Sequence, residues 1–161
     1  MSDDNPSGQR QATIRQAILE DASAIAEFNI NMARETENLE LDAEVINSGV
    51  RNMISNPERG FYLVVEADNQ LVASLMVTTE WSDWRNGLFW WIQSVYVVEQ
   101  WRRKGLYRSM YERVKQLSEE HGNIVGYRLY VEQDNQIAQK TYRSMGMHCT
   151  HYLLFEEMKS S

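Results

Sequence analysis

Residues 101–110 read Trp101-Arg102-Arg103-Lys104-Gly105-Leu106-Tyr107-Arg108-Ser109-Met110 (WRRKGLYRSM), and this stretch decides the fold. Cations precede a glycine. After it, Leu106, Met110, Val114 and Leu117 recur at helical spacing until His121-Gly122 ends the pattern. Before it, Leu88 to Val97 is dense in aromatic and branched residues, as a buried strand is. The stretch is therefore a strand, a loop and a helix start. A helix start carries backbone N–H groups with no partner inside the helix, and the aligned peptide dipoles make that end partly positive. Phosphate groups bind there. Gly105 lets backbone approach a ligand without a Cβ in the way, and Arg102, Arg103 and Lys104 add charge at the rim. Many ordinary helix starts are also basic, so the flanking elements decide between a solvated helix end and a phosphate cradle.

Toward the N-terminus, Ala12 to Leu19 interleaves apolar and polar residues as a first strand does. Asp21 reads as the N-cap of a helix bearing Ala22, Ile25, Ala26, Phe28, Asn29 and Met32. Asp42 opens a second helix, with Val45, Ile46, Val50, Met53 and Ile54, stopped by Asn56-Pro57. Phe61 to Ala67 and Leu71 to Thr79, joined by Asp68-Asn69, predict a hairpin, and Trp81 to Gly87 a polar and aromatic loop. Toward the C-terminus, Tyr127 to Val131 reads as a strand, Gln136 to Met145 as a helix stopped by Gly146, and His148 to Glu156 as a last strand. The order β-α-α-β-β-β-α-β-α-β predicts an α/β (α+β layered) domain over residues 11–158, preceded by a polar tail at 1–10 expected to be disordered.

At 161 residues the chain is long enough for one core, and its 43% hydrophobic and 24% charged residues are ordinary for a soluble globular protein. A net charge of −7 argues against nucleic acid as a partner, which selects a basic face. The cations at 102–104 are then a local exception suited to a compact anion. Apolar runs such as Leu88-Phe89-Trp90-Trp91-Ile92 are too short to span a bilayer, and the first ten residues do not read as a secretory signal, so no membrane partner is expected. The single cysteine, Cys149, allows no internal disulfide, which suits a reducing cytoplasm. Flanked by His148 and His151 but with no second ligand pair, it reads as a strand residue, and no metal is expected.

The segment Tyr130 to Met147 (YVEQDNQIAQKTYRSMGM) combines a strand, Asn135, Ala138 three residues on, Tyr142 four further, and Gly146-Met147. It resembles the C-terminal half of the GNAT acyltransferase superfamily. Arg102-x-x-Gly105-x-Tyr107 is similar to that family's phosphate-loop pattern of Gln or Arg, two residues, Gly, one residue, then Gly or Ala. It departs from the pattern at Tyr107, where the family usually has a small residue. The order of elements agrees over residues 12–157. The resemblance implies the acyl-CoA N-acyltransferase fold, a mixed and mostly antiparallel sheet of about six to seven strands flanked by about four helices. It implies acetyl-CoA as co-substrate, in a gap between the fourth and fifth strands. The pyrophosphate would then lie on the amides of Arg103, Lys104, Gly105, Leu106, Tyr107 and Arg108, behind Arg102. The pantetheine arm would follow Val95, Tyr96 and Val97 as an added strand would, with Asn135 hydrogen-bonded to it. An N-cap is an equal reading of Asn135. The resemblance also implies Tyr142 as proton donor to the departing thiolate, against the plainer reading of an aromatic packed at helical spacing from Ala138 and Met145.

Acyl transfer to an amine also needs a base. The strand Trp90-Trp91-Ile92-Gln93-Ser94-Val95 holds no acid, and Gln93 and Ser94 serve at most to position water. Glu35 and Glu37, ending the first helix, and Glu80 and Asp83, after the third strand, are the carboxylates that reach the cleft by sequence position. Each alone reads as a solvated acid; as a set they suggest a small cationic amine acceptor. Trp81 and Trp84 are open to two readings, a wall for that acceptor or ordinary loop aromatics. The expected function is acetyl transfer from acetyl-CoA to a primary amine by direct attack in a ternary complex. The missing strand carboxylate keeps an alternative open, a non-catalytic acyl-CoA-binding or sensing module. A homodimer is expected, because Tyr152-Leu153-Leu154-Phe155 lacks polar alternation and reads as a strand apolar on both faces.

Overall fold

The structure is a computed structural model and describes residues 11–160; the tail expected at residues 1–10 lies outside the described residues. Two compact units follow one another, the first ending at Leu129 and the second beginning at Tyr130. The first holds β1 (Ala12–Gln16), α1 (Ala22–Glu37), α2 (Ala43–Ile54), β2 (Gly60–Ala67), β3 (Gln70–Ser82), β4 (Gly87–Val97), α3 (Leu106–His121) and β5 (Ile124–Arg128). Its sheet runs in the order β1-β2-β3-β4-β5. Neighbours are antiparallel up to β4, and β5 lies parallel to β4 with α3 as the crossover that a parallel pair requires.

Burial follows from covering both sheet faces. Tyr62, Leu63, Val64 and Val65 are consecutive in β2 and all buried. Successive side chains point to opposite faces. Tyr62 and Val64 pack with Ala22, Ile25 and Ala26 of α1 and with Val50 and Met53 of α2. Leu63 and Val65 take the other face, the side of α3, whose Met110 and Val114 are fully buried. Helix starts behave as expected at Asp42, whose side chain accepts from the Glu44 and Val45 amides at 2.9 and 3.1 Å.

Asp21 does something else. It sits before α1 but makes no cap bond there. Its buried carboxylate instead accepts two bonds from the Arg15 guanidinium, at 2.7 and 3.0 Å, and one from the Ile18 amide at 2.8 Å. Burial alone would push this carboxyl up, but the Arg15 hydrogen bonds, the Ile18 amide and the Arg15 charge together hold it below its ordinary value. Asp21→Ala is expected to cost about 1–3 kcal/mol, because it leaves the Ile18 amide without its acceptor and strips two bonds from a half-buried guanidinium that keeps only Glu66 and the Gln16 carbonyl. A depressed pKa contributes stability that is present above the ordinary value, about 4, and lost as pH falls through the folded value. Urea titrations should therefore show the gap between wild type and Asp21→Ala narrowing in acid.

Four elements differ from expectation, the first being β1, which ends at Gln16 and leaves Leu19 in a short 3-10 turn. β3 continues through Trp81 and Ser82, so the loop expected at 81–87 shrinks to a turn at 83–86. The strand expected at Tyr127–Val131 is β5 at Ile124–Arg128, displaced because it admits Gly126. A Cβ at Gly126 would stand 2.7 Å from the Phe89 ring, so this glycine marks a close strand approach and not a break. The last strand expected at His148–Glu156 is not formed: residues 152–160 carry no regular structure, and among the described residues the sheet has five strands, not six to seven. A strand exists only as part of a ladder, and this segment has none.

The second unit contains α4 (Gln136–Ser144) and the segment after it, which carries no regular structure. Beyond the helix, Gly146 at φ 94° lets the chain turn so that the Met147 amide reaches the Tyr142 carbonyl at 3.1 Å. Among the described residues no helix is long and apolar enough to cross a membrane, and no group of three His, Cys, Asp or Glu side chains gathers as a metal would need.

Candidate functional site

Antiparallel register between β3 and β4 holds until Met76 faces Gln93, then slips, so that Ser74 faces Tyr96. Two residues of β4, Ser94 and Val95, thus stand opposite the single Leu75. This is a β-bulge, and Ser94 takes the left-handed conformation at φ 51° to make it. A bulge bends its strand. Beyond it β4 and β5 no longer pair: their ladder runs only from Leu88 to Trp91 on β4. Tyr96 and Val97 keep β3 on one side, Val95 stands in the bulge, and among the described residues none of the three has a strand on the other side. The result is a length of β4 whose outward N–H and C=O groups can take an extended ligand as they would take a strand.

That open length leads into the loop before α3. The turn Glu99–Trp101 closes on Val98, Arg103 adopts φ 63° and Gly105 φ 77°. Left-handed residues at these two places turn the backbone toward the first turn of α3, where Leu106, Tyr107 and Arg108 follow. A Cβ added at Gly105 would meet nothing within 4 Å, so the glycine borders open space and not packed core. An anion site needs this combination of helix start, curled backbone and clearance. Tyr107, bulky where a small residue was the pattern, is half-buried and stacks on Tyr111 one turn along the helix, centroids 6.4 Å apart. Its ring is accommodated by α3 itself.

The cations divide. Arg102 is committed: its Nε donates to the Val97 carbonyl at 2.8 Å, its guanidinium pairs with Glu35 at 2.8 Å, and it lies 5.4 Å from the Tyr96 ring. The Tyr96 hydroxyl donates to the other Glu35 oxygen at 3.1 Å. Burial first, and the Glu35 carboxylate second, push the Tyr96 hydroxyl up, so it stays protonated. Glu35, from the end of α1, thus ties the open end of β4 to the head of the loop across 67 positions of sequence. Lys104 leans on the Trp101 ring at 5.1 Å, and Arg103 and Lys104 are exposed.

The other acids are not gathered beside Glu35. Glu80 pairs with Arg128 at 2.6 Å and accepts from the Trp91 indole at 3.1 Å, holding β3, β4 and β5 together. Asp83 is exposed in the β3–β4 turn, where it accepts from the Trp84 amide, and Glu37 is exposed at the end of α1. Trp81 and Trp84 are 58% and 86% exposed, so neither is core. Gln93 donates to Thr78 at 3.2 Å on the neighbouring strand. Arg128 was missed from sequence, and Ser94 was read there only as a partner for water and not as the site of a bulge. A serine inside an aromatic strand gives no sign of a bulge, and an ion pair between residues 48 positions apart leaves no local pattern.

In the second unit, Asn135 caps α4 through Oδ1, which accepts from the Ala138 amide at 3.0 Å. The cap leaves its Nδ2 donors to other partners. Tyr142 is half-buried, and burial pushes its hydroxyl up, so the phenol is held protonated.

Comparison with known proteins gives a consistent result. A model of the acetyltransferase (GNAT) family matches residues 19–147. A crystal structure of a possible acetyltransferase from Clostridium difficile 630 is 43% identical over 93% of this chain and 99% of that one, with a TM-score of 0.87. A predicted acetyltransferase from Clostridium acetobutylicum, solved with acetyl-CoA, superposes at TM-score 0.76 with 17% identity, over 91% of this chain and 96% of that one. An aminoglycoside N-acetyltransferase in complex with CoA does so at 0.76 with 13% identity, over 96% and 99%. These last two share the fold. No protein of curated function matches the chain.

Proposed function

The chain belongs to the acetyltransferase (GNAT) family, and from that premise we propose that it moves the acetyl group of acetyl-CoA to a primary amine of a small cationic acceptor, in a ternary complex. The observation that carries this is the join between the unpaired length of β4 and the curled start of α3. The first suits an extended amide-bearing arm and the second a pyrophosphate. Amides of Arg103, Lys104, Gly105, Leu106, Tyr107 and Arg108 take the phosphates, and Val95, Tyr96 and Val97 take the arm. Arg102 serves as a strut through Glu35, and Arg103 and Lys104 supply the charge. Asn135 donates to the arm from Nδ2.

In the reaction the amine nitrogen attacks the thioester carbonyl, the C–S bond breaks, and the sulfur leaves as CoA thiolate. Before the attack the acceptor's ammonium gives a proton to water, which frees the nitrogen lone pair, and Tyr142 delivers its own proton to the departing sulfur. Gln93 and Ser94 orient that water, since no acid stands on this part of β4. Glu37 and Asp83, exposed, with Trp81, attract and flank a cation. Glu80 supports the same wall from its pair with Arg128. We place the protein in a reducing cytoplasm, because its single cysteine is exposed and free. We also take the active form to be a homodimer.

One observation favours a second reading, an acyl-CoA sensor. Glu35 and Glu80 are both held in ion pairs, which leaves the neighbourhood of β4 without a ready base. A panel of polyamines, amino acids, aminoglycosides and peptide N-termini, scored by free CoA thiol released from acetyl-CoA, separates the two. Release well above hydrolysis with at least one amine is expected; binding of acetyl-CoA with no release across the panel would leave the sensor.

A further inference from the structure

Where β4 and β5 part, the sheet carries polar groups. Trp91 and Arg128 are the last pair of their ladder. Between β3 and β4 the register sets Met76 opposite Gln93, Thr78 opposite Trp91 and Glu80 opposite Phe89, and residues directly opposite share a face. That face is the one on which Tyr62 and its partner Met76 meet α1 and α2. Its polar members are bonded together. Gln93 donates to Thr78 at 3.2 Å, and the Trp91 indole and the Arg128 guanidinium donate to Glu80 at 3.1 and 2.6 Å.

An ion pair that only riveted strands together would be strongest with two parallel bonds. This one is single. Both donors converge on Glu80 Oε1, and among the described residues Glu80 Oε2 and the Nε and Nη2 of Arg128 have no partner. The guanidinium also lies 3.6 Å from the centroid of the Phe89 ring, and stacking of that kind fixes its plane. An Nε–Nη2 edge is a two-donor fork that fits a carboxylate, and Glu80 Oε2 can accept from an ammonium. Side by side they suit a group that carries both charges on one carbon, as the head of an amino acid does.

The spacing along β4 sets which amine reacts. On the reading above, the arm follows Val95, Tyr96 and Val97 away from α3, so the thioester end comes to Ser94 and Gln93. From Gln93 to Trp91, the level of the ion pair, is two residues of strand, about 6.6 Å. A side chain of three or four methylenes ending in an amine spans about 5–6 Å at bond lengths near 1.5 Å. A head group at Glu80 and Arg128 thus delivers the side-chain amine, and not the α-amine, to the thioester.

We propose that the acceptor is a diamino acid, held where β4 and β5 diverge with its carboxylate on Arg128 and its α-ammonium on Glu80, and acetylated on its side-chain amine. Arg128 is then a specificity-determining residue. The side-chain ammonium and acetyl-CoA give the side-chain acetamide, CoA thiol and one proton released to water. The inference rests on the transfer reading above and names its substrate class.

Release of CoA thiol tests it, with L-lysine set against cadaverine and L-ornithine against putrescine, diamines that lack only the carboxylate. In the wild type kcat/KM is expected to be about 10–100-fold higher for each diamino acid, the worth of hydrogen bonds to a charged group. In Arg128→Gln that ratio should fall toward one, chiefly through the KM of the diamino acid. Arg128→Lys, which keeps the charge and loses the fork, should lower the same ratio and serves if the first variant does not fold. A lost strand rivet would slow all four amines alike; an unchanged ratio in both variants would overturn the role of Arg128. Diamines used as well as the diamino acids, or product acetylated on the α-nitrogen, would overturn the inference and leave acetyl transfer standing. No release from any amine of the wider panel would overturn both.

Discussion

Gly105→Val is expected to weaken acetyl-CoA binding by about 10–100-fold while the protein stays folded. Gly105 sits at φ 77° and ψ 13°, where a side chain is strained, so the fold loses about 1–2 kcal/mol whatever surrounds it. Nothing stands within 4 Å of the added Cβ, so no packing clash adds to that loss. The branched side chain instead occupies the approach to the α3 amides. Crowding of that kind costs about 1–3 kcal/mol, and each 1.4 kcal/mol is about tenfold in affinity. Gly122 provides the control. It closes the other end of α3 at φ 75°, again with nothing within 4 Å of a Cβ. Gly122→Val should lower the melting temperature by a similar amount and leave acetyl-CoA affinity unchanged. Equal affinities for the two variants, by calorimetry, would take the loop out of the site.

Tyr142→Phe should lower turnover about 10²-fold, the low end for loss of a general acid, because a thiolate is already a fair leaving group. The ring remains, so packing, acetyl-CoA affinity and the acceptor's KM should change little. The pH profile adds a readout that packing would not move. Burial raises the phenol pKa, so the proton to be donated is present throughout the neutral range and is lost only as pH rises above the ordinary tyrosine value of about 10. The wild-type rate should climb with pH as the amine acceptor deprotonates, then fall above that value, and the fall should be absent from Tyr142→Phe. Full turnover in the variant would mean a packing aromatic, with water or Ser94 as donor.

Much of this was legible before any coordinates. The helix starts at Ala22, Ala43, Leu106 and Gln136, the hairpin of β2 and β3, and the glycine ends of α3 and α4 are local events, encoded within a few residues of where they occur. So was the curled loop before α3, because its glycine, its cations and the helix behind it are contiguous. Features that depend on distant partners were not legible. Glu35 reads as a solvated acid until Arg102 and Tyr96 close on it, and the bulge at Ser94 exists only relative to Leu75 on β3. Gly126 looks like a strand end because the Phe89 ring that requires it lies on another strand. The C-terminal segment was misjudged for a related reason: its composition is that of a buried strand, but a strand needs a ladder, and residues 152–160 join none among the described residues.

The central claim is that acetyl-CoA lies along the open length of β4 and ends on the start of α3. Amide chemical shifts of isotope-labelled protein, followed as acetyl-CoA is added, test it most directly. The largest changes should fall on Tyr96 and Val97 and on Arg103 through Arg108, with the β3–β4 turn at 83–86 nearly still. Saturable binding that leaves those amides unmoved, or no binding at millimolar acetyl-CoA, would contradict it.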